Sequence, residues 1–86
     1  MEVHNLNETN ILVYGTTWCW DCKRAQKFFN NNAIPFTFID IDKDKAGEKY
    51  VLDVNNGNRS VPTILFSDGS ILVEPSTRAL EEKLGR

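Results

Sequence analysis

The sequence predicts an α/β fold in which a four-stranded mixed sheet is flanked by three helices, in the order β-α-β-α-β-β-α. Short runs of β-branched and aromatic residues alternate with segments whose apolar residues recur at helical spacing. The last two apolar runs are separated only by the turn-forming residues 67–70, which indicates a hairpin. The chain has 86 residues without a repeat or a linker, so a single domain over residues 1–86 is predicted.

The first half of the chain predicts a strand, a helix and a second strand. Residues 11–14 form an apolar run that ends at Gly15 and is typical of a buried strand. Residues 20–31 are predicted to be a helix, and residues 36–41 a second strand. The apolar residues on the inner side of that helix are Ala25, Phe28 and Phe29. Parallel strands need a crossover of about a dozen residues, so these elements are expected to form a βαβ unit.

A second helix follows the second strand. Asp44 is predicted to cap it, and it ends at about Val54. Its inner side is expected to carry Tyr50, Val51 and Val54. The charges of residues 40–45 alternate in sign, which favours a solvated turn before the helix.

The rest of the chain predicts the hairpin and a final helix. Residues 62–66 and 71–73 are the third and fourth strands. Ser76 or Thr77 can cap the last helix, which ends at Gly85. The aromatic residues assigned to the core are Tyr14, Phe28, Phe29, Phe38 and Phe66.

Composition and charge exclude several classes of protein. The formal net charge is -2, and the Lys and Arg residues are dispersed, so no basic stripe suits nucleic acid. Residues 1–10 are polar and lack a signal pattern, and no apolar run approaches the roughly 20 residues that span a bilayer. A cytoplasmic monomer with no membrane partner is therefore expected.

The two cysteines, Cys19 and Cys22, carry the predicted chemistry. They stand three residues apart between a predicted strand and the start of a helix, a placement typical of a redox-active C-x-x-C motif. Cys19 would lie at the helix N-terminus, where unpaired N–H groups and the helix dipole favour a thiolate. Cys22, one turn later, would lie deeper and stay protonated. Cys19 is thus predicted to attack a disulfide and Cys22 to resolve the adduct, which leaves a Cys19–Cys22 disulfide.

Other roles for the cysteine pair are weaker. A bridge across so small a loop stabilises a fold least, and a closed zinc site needs about four ligands although His4 is the only histidine. An iron-sulfur cluster held by Cys19 of two chains remains the alternative function. Asp21 opposes a thiolate at Cys19 while it favours the helix start, so the sign of its effect is left open.

Two motifs together resemble those of glutaredoxins, which belong to the thioredoxin superfamily. They are YGTTWCWDC at residues 14–22 and NRSVPT at residues 58–63. The resemblance covers residues 11–84, and the RSVP stretch is similar to that of the actinobacterial mycoredoxins. It implies a thioredoxin-like, glutaredoxin-type fold and an oxidoreductase that reduces protein disulfides or mixed disulfides with low-molecular-weight thiols. It implies no tightly bound cofactor; the electron donor would be glutathione, a mycothiol-type thiol, or a flavoprotein reductase of the thioredoxin-reductase type.

The resemblance also assigns substrate-binding residues. In the family the proline that matches Pro62 is cis and faces the first cysteine, while the backbone of the preceding residue, here Val61, pairs with the bound thiol peptide. Arg59 stands where related proteins often hold a carboxylate of that thiol, a task that suits the guanidinium fork. Ser76 and Thr77 match the region that receives the other carboxylate of glutathione.

The tryptophans and two departures from the family pattern add further expectations. Trp20 is expected to be exposed and to offer a contact surface to a partner, and Trp18 to pack into the edge of the sheet. Glutathione-dependent members commonly carry a lysine where this chain has Thr16, and a glycine pair where it has Glu74 and Pro75. Both departures weaken the case for glutathione.

Overall fold

The computed structural model describes residues 11–86, which contain four strands and three helices. In chain order they are β1 (Leu12–Gly15), α1 (Trp20–Asn31), β2 (Thr37–Asp40), α2 (Lys45–Val54), β3 (Thr63–Leu65), β4 (Ile71–Val73) and α3 (Thr77–Leu84). The predicted order and fold class are confirmed. No helix in this range is long and apolar enough to cross a bilayer. The expectations that rest on residues 1–10, namely the lack of a signal segment and the discounting of His4, lie outside the described residues.

The sheet has the strand order β2-β1-β3-β4. β1 runs parallel to β2 and antiparallel to β3, which pairs with β4 as a hairpin. The register pairs Gly15 with Asp40 and Tyr14 with Thr63. The carboxyl ends of β1 and β2 and the start of β3 therefore meet at one edge of the sheet, where the cysteine motif begins.

Apolar side chains pack on both faces of the sheet because successive residues of a strand point to opposite sides. Val13 faces α1 and α3, and its neighbour Tyr14 faces α2. The buried members of the larger cluster are Ile11, Val13, Ala25, Phe28, Phe29, Ile34, Ile64, Phe66 and Leu80. Those of the smaller cluster are Tyr14, Ile41 and Val51. The predicted aromatic core is confirmed, with Phe38 only partly buried.

One predicted core residue of α2 is wrong. Val54 is 37% exposed, whereas Val51 is fully buried. Val54 and Asn55, three and four residues after Val51, can both continue the inner line of the helix, and here Asn55 takes that position. The Asn55 amide occupies that position and donates to the carbonyl of Val51 at 2.9 Å and to Oγ1 of Thr63 at 3.1 Å. The end of α2 is thus tied to β3 by a polar contact.

The helix termini carry the predicted caps. Asp44 caps α2, and the Oγ atom of Ser76 accepts a hydrogen bond from the N–H of Ala79 at 3.1 Å. Ser76 is therefore the cap of α3, and Thr77 is its first helical residue. Gly85 closes α3 in the left-handed conformation with a φ of 68°.

The absence of a side chain at Gly15 lets α1 approach the end of β1. A Cβ atom at Gly15 would lie 2.6 Å from Sγ of Cys22 and 3.2 Å from the ring of Phe38. We expect Gly15→Ala to lower the free energy of unfolding of the reduced protein by about 1–3 kcal/mol, because it overpacks this contact. Urea titration followed by circular dichroism measures the change.

The same substitution in a Cys22→Ala background provides the control. Removing Sγ deletes the nearest clashing atom, so the cost of Gly15→Ala should be smaller there, as a coupling energy between the two positions. An equal cost in both backgrounds would contradict the contact.

Candidate active site

Cys19 caps the N-terminus of α1. Its backbone is extended, with a φ of -87° and a ψ of 120°, and its Sγ accepts a hydrogen bond from the N–H of Cys22 at 3.1 Å. The sulfur occupies the position in which the oxygen of a serine or aspartate cap satisfies an unpaired amide. Negative charge on this sulfur is thus stabilised by that N–H and by the positive end of the helix.

Cys22 lies beneath Cys19. It has no exposed surface, and Cys19 is 9% exposed. Burial raises the pKa of the Cys22 thiol to about 12, with smaller contributions of the same sign from the hydrogen bond to Cys19 and from the charges of Cys19 and Asp21. A hydrogen bond to the backbone of Thr16 acts in the opposite direction. Both cysteines are free, and the expected difference in depth is present.

Thr16 closes the floor of the site. It has no exposed surface, and its hydroxyl oxygen has no hydrogen-bond partner among the described residues. In glutathione-dependent relatives the resemblance places a lysine at this position. In this chain the position is neutral and buried.

The loop before β3 faces the first cysteine. The carbonyl oxygen of Val61 lies 3.9 Å from Sγ of Cys19, and the peptide bond between Val61 and Pro62 is cis, as expected. The N–H of Glu74 donates to the carbonyl of Pro62 at 2.8 Å, which anchors the loop to the end of β4. The structure therefore brings Cys19, Val61 and Pro62 together.

Arg59 is engaged by carboxylates of the chain itself. Its Nε donates to Oε2 of Glu48 at 2.7 Å, and its Nη2 donates to Oδ1 of Asp42. The other oxygen of Asp42 accepts from the indole N–H of Trp18 at 2.9 Å. Hydrogen bonds from Arg59 and then Trp18 lower the pKa of Asp42, so this carboxylate is ionised at neutral pH. The expected role of Arg59 in holding a carboxylate of a bound thiol stays a prediction.

Sequence reasoning missed the roles of Asp42 and Glu48. The alternating charges of residues 40–45 predict only a solvated turn, whereas Asp42 is tied to both Arg59 and Trp18. The predicted topology contained a signal for the contact between Asp42 and Trp18, because residues that follow neighbouring parallel strands meet at the same edge of a sheet. Glu48 gave no such signal, since its approach to Arg59 depends on where α2 packs.

The two tryptophans flank Cys19 on the surface. Trp18 is 64% exposed, so the prediction that it packs into the sheet edge is wrong. Its indole N–H donates a hydrogen bond to Asp42 in the loop after β2. This bond holds the ring over the edge of the sheet, outside the core. Trp20 is 81% exposed, as predicted, and the Lys23 ammonium lies 5.5 Å from the centre of its ring.

The outer face of α1 is basic beside Trp20. Lys23, Arg24 and Lys27 share an open surface depression with that ring. Arg24 also forms an ion pair of 3.1 Å with Asp21, which offsets the carboxylate between the cysteines.

The two predicted residues at the start of α3 differ in their surroundings. Thr77 lies beside Arg24 and Lys27 in a neighbouring depression. The Ser76 oxygen is already used as a helix cap. Binding of a thiol carboxylate by either residue stays a prediction.

The described residues contain no group of three or more His, Cys, Asp or Glu side chains placed to hold a metal ion. A cluster shared by two chains would draw on Cys19 of each, so the alternative function stays an untested prediction.

Comparisons with known proteins agree with this geometry. The family model for glutaredoxin matches residues 11–71. A candidate glutaredoxin of Mycobacterium tuberculosis is 39% identical over 74 residues, which cover 86% of this chain and 88% of that protein. Mycoredoxin 1 of Corynebacterium glutamicum is 36% identical over 67 residues, with coverage of 78% and 82%. The crystal structure of a mutant of the thioredoxin-like protein BC3987 superposes with a TM-score of 0.77 at 25% identity, covering 87% of this chain and 94% of that one.

The family match extends over most of the chain and includes both the cysteine motif and the Val61–Pro62 bond. The strand and helix order is that of the thioredoxin-like fold. The chain belongs to the glutaredoxin family and is a thiol oxidoreductase.

Proposed function

We propose that this chain reduces protein disulfides, or mixed disulfides with low-molecular-weight thiols, through Cys19 as nucleophile and Cys22 as resolving thiol. The observation that carries the proposal is the arrangement of the two sulfurs. Cys19 caps a helix, keeps 9% of its surface exposed and accepts the N–H of Cys22, whose thiol has no exposed surface and is protonated. Only the outer sulfur is placed to meet a disulfide.

The exchange has two steps. The Cys19 thiolate attacks one sulfur of the substrate, which forms a mixed disulfide on Cys19 and releases the other sulfur as a thiolate. Cys22 then attacks Sγ of Cys19, so that the Cys19–Cys22 bond forms and the second substrate sulfur leaves, taking up the proton from Cys22. The substrate disulfide gains two electrons, and the dithiol of the protein is oxidised.

The environment of Cys22 changes between these steps. In the reduced protein, the hydrogen bond and the negative charge of Cys19 help to raise the pKa of Cys22. Formation of the mixed disulfide removes that negative charge, while the backbone of Thr16 still stabilises the Cys22 thiolate. Burial, the largest cause of the raised pKa, is unchanged, so the adduct lowers the pKa of Cys22 only through the lost contributions of Cys19.

We propose a low-molecular-weight thiol of the mycothiol type as the electron donor. The similarity to a mycoredoxin supports this choice. Thr16 and the Glu74-Pro75 pair replace residues that glutathione-dependent relatives use, and Thr16 is buried. Mycothiol or glutathione added to the oxidised protein, followed by alkylation and mass measurement of the free thiols, tests the donor. Faster reduction by glutathione would overturn the choice, and reduction by neither would favour a flavoprotein reductase.

Cys22→Ser should trap a mixed disulfide on Cys19, because the adduct forms but cannot be resolved. We expect the variant isolated from lysate to carry thiol adducts, which mass measurement of the protein and of its reduced form identifies. Cys19→Ser, which keeps only the buried sulfur, is the matched control and should remain free of adducts. Equal adduct formation on Cys19→Ser would show that the two roles are assigned wrongly.

Alkaline pH should destabilise the reduced protein through Cys22. The pKa of its thiol rises from about 9 to about 12 on folding, so between these values the folded state holds a proton that the unfolded chain has lost. Stability from this group is complete below about pH 9 and falls as pH rises to about 12, by up to about 1.4 kcal/mol per pH unit. Urea titrations under reducing conditions should show a steeper decline for wild type than for Cys22→Ala. Parallel declines would contradict the buried thiol.

A further inference from the structure

We propose that Asp42, Glu48 and Arg59, here called the acidic triad, disfavour reaction of Cys19 with disulfides of anionic thiols relative to those of uncharged thiols. The proposal deepens the function above and rests on disulfide exchange at Cys19. It names a specificity determinant, since none of the three side chains has a role in the exchange steps themselves.

The acidic triad spans the two loops between which an adduct on Cys19 must lie. On one side, Asp42 accepts the indole N–H of Trp18, the residue directly before Cys19. On the other side, Arg59 is two residues before Val61, whose carbonyl oxygen lies 3.9 Å from the Cys19 sulfur. A group bound to that sulfur and extended along Val61 therefore comes close to the triad.

The triad presents a net negative charge to such a group. It combines two carboxylates with one guanidinium, and both Nε and Nη2 of Arg59 point at those carboxylates. The side chains are about a third exposed, at 39% for Asp42, 34% for Glu48 and 35% for Arg59, so their field reaches solvent at the site. Repulsion of a thiol carboxylate acts over about 10 Å at 0.1 M salt. A free arginine at the same place would attract it.

Other charged residues lie near the site, among them the exposed Lys43, which follows Asp42 directly. Glu74 adds a third acidic residue, next to Val61 and Pro62, because its N–H bonds to the carbonyl of Pro62. The basic side chains of Lys23 and Lys27 lie along α1 beside Trp20. The acidic triad thus acts on the part of a substrate that extends toward Val61, and these lysines act on the part beside Trp20.

A pair of small symmetric disulfides tests the charge effect. Dithiodipropionate and its diamide differ in charge but hardly in size, and attack on either sulfur leaves the same adduct. The rate of oxidation of the reduced protein by each, measured by alkylation and mass, gives an amide-to-carboxylate rate ratio. The two disulfides differ in intrinsic reactivity by the same factor for every variant. A difference in the rate ratio between variants therefore reports the effect of the substitution.

Variants of the triad should move the ratio in opposite directions. Asp42→Asn combined with Glu48→Gln keeps one acceptor oxygen at each position but removes two negative charges, and should lower the ratio about threefold to tenfold. Arg59→Gln leaves the two carboxylates uncompensated and should raise it. Asp53→Asn is the matched control, because it removes an exposed carboxylate of α2 that pairs with Lys49, and should leave the ratio unchanged.

The outcomes separate the proposal from the function on which it rests. If neither disulfide oxidises the protein at Cys19, disulfide exchange itself is wrong. If both do but the ratio is the same in wild type and the triad variants, or shifts in one direction in all of them, the triad has only a structural role and the inference is overturned. A charge effect also requires the wild-type ratio to fall when salt is raised.

Discussion

The close approach of the first turn of α1 to the end of β1 is the constraint on which the site depends. Gly15 has no side chain, so the sulfur of Cys22 packs against the strand and is removed from solvent. Once Cys22 is buried there, the helix begins at Trp20, and Cys19 is left at its N-cap with an amide directed at its sulfur. The close packing at Gly15 therefore accounts both for the buried thiol of Cys22 and for the position of Cys19 at the helix N-terminus.

The sheet register brings the other parts of the site to these sulfurs. Tyr14 pairs with Thr63, which places Val61 and Pro62 beside the end of β1. Gly15 pairs with Asp40, so Asp42 emerges at the same edge from the opposite side. The Val61–Pro62 peptide and the acidic triad therefore flank Cys19 because β1 lies between its parallel and antiparallel neighbours.

The charges around the cysteines distinguish this chain from the glutathione-dependent pattern. Thr16 is neutral and buried, and Arg59 is already paired with Asp42 and Glu48. Ion pairs that are exposed to this extent contribute little to the free energy of unfolding. The pairs of Arg59 therefore matter more for the electrostatic field at the site than for the stability of the fold. The chain is also 36% identical to mycoredoxin 1 of Corynebacterium glutamicum, and the proposed electron donor rests on that similarity.

The sequence by itself determined the order of the elements, the cap at Asp44 and the cysteine pair, because these depend on local spacing and residue type, whereas it left the cap of α3 open between Ser76 and Thr77. The resemblance added the cis bond before Pro62, which local preference alone would not predict. Only the tertiary structure decided that Trp18 lies on the surface, that Val54 turns outward and that Arg59 is held by two carboxylates. Each of these outcomes depends on which residues from distant parts of the chain share an edge of the sheet or a helix face, and no local pattern records that.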